Sequence, residues 1–169
     1  MTITVIYIRQ VETNKKTKKQ DTKLESEGAE FLVLGLLLIE GISAYKAYLN
    51  FPGYDLTAVN PETKRVARIQ VKSRWATDYD TSFPLKSLDC DFVVHVALNR
   101  GYRFGKKNNI KDNGIKPPTF YIFPIDIITK ARKEIGWNKA QIKRVENLET
   151  YIDNWALIKT YLVDQPTEK

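Results

Sequence analysis

The chain has 169 residues, 43 % of them hydrophobic and 28 % charged, and Lys plus Arg outnumber Asp plus Glu by 27 to 20 for a net charge of +7. A core of that length can bury roughly 70 % of the surface the unfolded chain exposes, so the composition excludes a disordered chain and calls for no more than one domain. The single Cys90 excludes an internal disulfide and a cysteine tetrad for zinc.

The opening stretch, MTITVIYIRQVETNKKTKKQ, has no basic start followed by an apolar segment and a small-residue cleavage site, so a cytoplasmic location is expected. Lys15, Lys16, Lys18 and Lys19 make residues 1–22 a polar basic arm ahead of one domain over 23–165. KLESEGAEFLVLGLLLIEG, 23–41, predicts a helix rich in Leu, Glu and Ala, capped by Thr22 or Ser26 and stopped at Gly41. Its apolar run, 31–39, is about half of the ~20 residues a bilayer span needs. Glu30 and Glu40 bracket it, so a buried helix is expected and a membrane partner is not.

ISAYKAYLN, 42–50, predicts a strand, FPG a turn, YDLTAVN a second strand, PETK a turn and RVARIQVKSR, 65–74, a third strand. DFVVHVALN, 91–99, and TFYIFPI, 119–125, predict two more, the former apolar enough to be a central strand covered on both faces. From Lys139 to Leu162 the spacing of Val145, Leu148, Ile152 and Trp155 by threes and fours predicts a helix. The whole reads as an α/β sandwich.

Between the last two strands, RGYRFGKKNNIKDNGIK carries Arg100, Arg103, Lys106, Lys107, Lys111 and Lys116 against Asp112, with Tyr102 and Phe104 interleaved. Such a loop can neutralise phosphates while its rings stack on bases, or it can be a plain solvated surface. His95, in the middle of a strand among valines, reads as a packing residue, and Trp75, Trp137 and Trp155 read as packing anchors.

The charges of the central hairpin are harder to place. Alternation puts Ala67, Ile69, Val71 and Ser73 on one face of the third strand and Val66, Arg68, Gln70 and Lys72 on the other, with Asp55 alongside if the strands pair. A carboxylate, an amide and an ammonium converging there could hold a hard cation and a phosphate. The same pattern also fits a polar-out face on which Asp55 and Lys72 form an ion pair and Gln70 meets solvent.

The stretch EGAEFLVLGLLLIEGISAYKAYLNFPGYDLTAV followed by RVARIQVKSR resembles the core of the PD-(D/E)XK nuclease superfamily. That resemblance extends over about 23–160 and is nearest to small intron-associated and Holliday-junction-resolvase-like members. It implies a restriction-endonuclease-like fold, a three-layer sandwich with a central mixed β-sheet flanked by helices. It assigns Asp55 of PGYDL as the metal-binding acid, Gln70 and Lys72 of QVK to the acid-x-Lys positions, and Glu30 to the auxiliary glutamate. Gln70 departs from the usual acid and should weaken metal binding unless Glu30 or a phosphate supplies the charge. The expected activity is Mg²⁺-dependent hydrolysis of DNA phosphodiesters, with Mn²⁺ as a substitute and duplex or branched DNA as partner. Arg68, Arg74, Arg100, Arg103, Lys106, Lys107 and Lys111 would hold the phosphate backbone, and a homodimer would ease duplex cleavage. The competing expectation is a catalytically inactive chain of this fold that binds nucleic acid or serves in an assembly.

Overall fold

The computed structural model describes residues 22–47, 53–77, 82–101, 114–133 and 138–164. The arm with Lys15, Lys16, Lys18 and Lys19, the loop residues Tyr102, Arg103, Phe104, Lys106, Lys107 and Lys111, and Trp137 lie outside the described residues.

Helix α1 spans Lys23–Ile39. Thr22 stands at its N-cap without a side-chain cap hydrogen bond, and Glu25 in the first turn meets the positive end of the helix dipole. Gly41 ends it at φ 75°, a left-handed geometry that glycine adopts without strain. The Gly41 N–H donates to the Leu38 carbonyl at 3.0 Å and the Ile42 N–H to the Leu37 carbonyl at 2.8 Å. These are the two bonds of a Schellman cap, and Leu37 and Ile42 enter the same core beneath it.

The chain continues through β1 (Ala44–Lys46), β2 (Leu56–Val59), β3 (Val66–Arg74), β4 (Ser82–Pro84), β5 (Phe92–Ala97) and β6 (Thr119–Pro124). It then forms α2 (Ile125–Lys130), β7 (Arg132–Lys133), β8 (Lys139–Gln141) and α3 (Ala156–Val163). The main sheet runs β1-β2-β3-β5-β6; β3 and β5 are parallel and the other neighbours antiparallel. Between β2 and β3 the Asn60 Oδ1 accepts the N–H groups of Glu62 and Thr63, closing the turn that the sequence placed there. A smaller antiparallel sheet runs β4-β8-β7.

Two cores sandwich the main sheet. On one side α1 and α3 bury Val33, Leu37 and Ile158 against Leu56, Ile69, Val71 and Val94. On the other, the small sheet and α2 bury Phe83, Leu85, Ile128 and Ile142 against Val93 and Phe123. Strand β5 sits between them and is buried on both faces except at Ala97, as its unbroken apolar run indicated. The third layer is therefore largely a small sheet rather than helices. Among the described residues no helix is long and apolar enough to cross a membrane.

The expected helix from Lys139 to Leu162 is corrected. That stretch divides into β8, two 3-10 turns at Ile142–Arg144 and Leu148–Tyr151, and α3. Asn147 and Asp153 both take φ 50°, a geometry their short polar side chains tolerate and an α-helix cannot contain. The three-and-four spacing still reports burial, since Val145 and Trp155 are both buried, but they enter opposite cores from separate elements.

Candidate functional site

Asp55 lies just before β2, where the hairpin ladder runs out. Leu56 pairs with Ile69, and the Asp55 N–H donates to the Ile69 carbonyl at 2.9 Å. One carboxylate oxygen, Oδ2, accepts the Val71 N–H at 2.7 Å, replacing the next rung of the ladder with a side chain. Asp55 is thereby held between Ile69 and Val71, directly across from Gln70.

The turn that delivers Asp55 depends on Gly53. Its φ is +117°, and a Cβ there would lie 2.7 Å from the Asp89 carbonyl oxygen and 2.9 Å from the Ser87 hydroxyl. Backbone therefore presses on backbone at a place where no side chain fits.

On β3 the two faces separate as alternation requires: Ala67, Ile69 and Val71 join the α1-side core. Gln70 faces the other way but does not meet solvent. It is only 7 % exposed, and its Oε1 is buried with no hydrogen-bond partner among the described residues. Burying an amide oxygen without a partner costs about 1–3 kcal/mol, so the fold tolerates a deficit at this atom.

Glu30 projects from α1 toward this end of the sheet, near enough to Asp55 for the two negative charges to oppose each other. Burial, chiefly, and Asp55 raise its pKa above the ordinary carboxylate value, while Lys46 works to lower it. Sequence reasoning missed Lys46. Its ammonium, on β1, pairs with Glu30 at 3.1 Å and with Glu27, and lies over the Phe31 ring at 4.6 Å from the centroid. Burial works to lower the Lys46 pKa, and the hydrogen bonds its ammonium donates to Glu27 and Glu30 more than offset it, leaving the pKa raised. The available signal was a lone lysine inside the apolar strand ISAYKAYL, an ion that needs a counter-charge when buried.

Lys72, two residues beyond Gln70 on the same face, is half-buried and sits opposite His95 of β5. Among the described residues Asp55 and Lys72 form no ion pair, so neither the solvent-facing Gln70 nor the Asp55–Lys72 bridge of the polar-out alternative is present. His95 is buried and stacks on Phe83 with centroids 4.8 Å apart. Burial, assisted by the charge of Arg74, depresses its pKa to about 3, which makes it a neutral packing residue. Burial pushes the Cys90 thiol the other way, to about 11.

Of the residues expected to grip phosphate, Arg68 is already engaged. Its backbone N–H donates to Asp91 Oδ2 at 2.7 Å, its Nε to the same oxygen at 3.1 Å and an Nη to Oδ1 at 3.2 Å, and it also pairs with Asp89. Burial opposes the Asp91 charge, but the bonds from Arg68 hold its pKa below the ordinary value. Arg74 ends β3 near His95, and Arg100 is exposed at an isolated bridge to Ile115.

The candidate donors are all oxygens: the Asp55 carboxylate, the Gln70 amide carbonyl across the hairpin from it and, on α1 within reach of the Asp55 charge, the Glu30 carboxylate. Among the described residues no group of three or more His, Cys, Asp or Glu gathers as a metal site. A buried carbonyl oxygen lacking a partner, set across from a carboxylate, nevertheless fits a hard divalent cation, which takes both kinds of oxygen.

No protein-family model matches the chain, and a search of curated proteins finds no match. Among solved structures it is similar to a bacterial homing endonuclease, with a TM-score of 0.53 and 21 % identity, over 83 % of this chain and 94 % of that one. It is also similar to Hjc, a Holliday junction resolvase from the archaeon Archaeoglobus fulgidus, with a TM-score of 0.42 and 16 % identity, over 69 % of this chain and 84 % of that one. The chain has the restriction-endonuclease-like fold: a five-stranded mixed sheet with helices, as in the homing endonuclease.

Proposed function

We propose that this restriction-endonuclease-like chain is a metal-dependent DNA endonuclease that hydrolyses phosphodiester bonds. The observation that carries the reading is the buried Oε1 of Gln70, without a hydrogen-bond partner among the described residues, directly across the hairpin from Asp55. A Mg²⁺ or Mn²⁺ ion held by Asp55 and Gln70, with Glu30 contributing charge, would supply Lewis-acid polarisation of the scissile phosphate. The Val71 N–H fixes the Asp55 carboxylate before any ligand arrives, so no reorganisation is needed at that donor. Lys72, unpaired among the described residues, would orient an attacking water and balance the charge that builds on the phosphoryl oxygens. Arg74, Arg100 and the loop residues Arg103, Lys106, Lys107 and Lys111 would track the DNA backbone. Arg68 acts at one remove, by fixing Asp89 and Asp91. One such site cuts one strand, so duplex cleavage calls for two copies.

The second reading, a chain of this fold that binds DNA without cutting it, is favoured by Lys46: its charge neutralises Glu30, and Gln70 brings none. The two separate in one experiment. Supercoiled plasmid and a branched DNA junction are incubated with Mg²⁺ or Mn²⁺ and either the wild type or Lys72→Ala, while calorimetry follows Mn²⁺ binding to the wild type and to Asp55→Ala. Metal-dependent nicking lost in Lys72→Ala, with Mn²⁺ binding lost in Asp55→Ala, is the expected result. DNA binding without cleavage by either protein would overturn the nuclease reading.

A further inference from the structure

Helix α1 is amphipathic only in its first two turns. Taking successive residues about 100° apart, Ala29, Val33 and Leu37 point to the core, and the opposite side presents Leu24, Phe31, Leu32, Leu38 and Ile39 to solvent. These five are 43–85 % exposed. A helix apolar on all sides is ordinarily covered on all sides. The exposed portions amount to about three whole side chains, on the order of 450 Å² per copy and roughly 900 Å² across a pair at ~150 Å² each, just below the ~1,000 Å² a specific interface clears, before the residues flanking the five are added.

Leu24, Gly28, Phe31, Gly35 and Leu38 follow one another at steps of four, three, four and three, the repeat by which two helices interlock at a shallow angle. Both glycines weaken a helix, and a Cβ at either would meet nothing within 4 Å, so packing within the chain does not ask for them. Close approach of a second helix does. The charges fix the direction. Glu25 lies in the first turn of α1, and a parallel pair would set this acid against its own copy. An antiparallel pair sets it against the uncharged second half and opposes the helix dipoles favourably.

We propose that this face of α1 is the contact between two copies of the chain, packed antiparallel about a two-fold axis near Phe31 and Leu32. Gly28 then opposes the partner's Gly35, and Leu24 lies against the partner's Ile39. The same helix carries Glu30 on its flank, so the contact ties two candidate sites into one rigid unit. Its role in cutting both strands rests on the nuclease reading; the contact itself does not.

The test is sedimentation velocity on the full chain from nanomolar to high micromolar concentration. The wild type should shift from monomer to dimer, and Gly28→Leu and Leu38→Arg should each weaken association at least tenfold. Gly28→Leu should at the same time raise the thermal midpoint of the monomer, which separates a blocked interface from a damaged fold. Cys90 is buried, so single cysteines report direction. Leu32→Cys should cross-link to itself on oxidation; Leu24→Cys, about 22 Å from its own copy along an antiparallel pair, should not. A wild type monomeric throughout, association unaffected by both variants, or equal cross-linking at the two cysteines would overturn the proposal, leaving the face to another segment or another protein. A monomer that nicks plasmid would sink only this contact and leave the nuclease reading standing.

Discussion

Replacing Lys46 by Met should expose what holds Glu30 in place. The Lys46 side chain is 6 % exposed and the Glu30 side chain 17 %, so removing the ammonium leaves a carboxylate largely out of water with no counter-ion. Breaking a buried pair in this way commonly costs about 3–5 kcal/mol. Here the carboxyl can protonate instead, which caps the cost: from an ordinary value near 4.3, the ceiling at pH 7 is about 3.7 kcal/mol at ~1.4 kcal/mol per pH unit. Glu27, nearly half exposed, adds at most about 1 kcal/mol, and the lost contact with Phe31 about 0.5–1 kcal/mol. A net loss of about 2–4 kcal/mol at pH 7 is expected. The pH dependence carries the signature. Glu30 already has a raised pKa, so its ionisation costs stability above that pKa and the cost is relieved as pH falls through it. In Lys46→Met the raise grows, so the ceiling on the charge cost falls to about 1 kcal/mol at pH 5. Urea unfolding of both proteins at pH 5 and pH 7 measures the difference, and adding Glu30→Gln to the variant should restore much of the loss. An equal deficit at both pH values would show that Lys46 acts through packing and would refute the argument.

Gln70→Leu should raise stability by about 1–3 kcal/mol by removing a desolvated amide oxygen that has no partner among the described residues, while abolishing divalent-cation binding; thermal melts and calorimetry check the pair. His95, with its pKa depressed to about 3, stays neutral in the fold while the unfolded chain takes a proton below about 6.5. Stability should therefore fall by up to about 1.4 kcal/mol per pH unit as pH drops from 6.5 toward 3, and His95→Leu should remove that part of the slope in acid titrations of unfolding. Asp91 has a lowered pKa, so its contribution is present above the ordinary carboxylate value and lost as pH falls through the folded one. Asp91→Asn should destabilise the protein at pH 7 and flatten its stability profile below pH 4.

What the sequence made legible follows from length and period. The nine residues of β3 alternate cleanly enough that Ala67, Ile69 and Val71 could be assigned to the core and Asp55 set beside Gln70. The Gly41 stop of α1 was equally plain, because the αL cap has a residue signature. The small sheet was not, since strands of two or three residues carry no measurable alternation. Its absence from the reading is why Gln70 could be pictured in solvent: without it, nothing on that face of β3 covers the alternate polar residues. The final segment failed because Asn147 and Asp153 interrupt a spacing that is otherwise helical, and their backbone angles are a tertiary outcome. Lys46 was overlooked because an ion pair between α1 and β1 depends on how a helix is laid against a strand, which one-dimensional spacing does not report.

The tight stop at Gly53 makes the position of Asp55 a property of a segment more than thirty residues further along the chain. The turn rests on the backbone of Asp89, whose side chain, with that of Asp91, is clasped by Arg68. A change in the Ser87–Asp91 segment that lifts this backbone by a few tenths of an ångström is passed directly to the Asp55 carboxylate. Selection, or a protein engineer, could thus detune or retune the site by editing a surface loop, leaving every ligating residue as it stands.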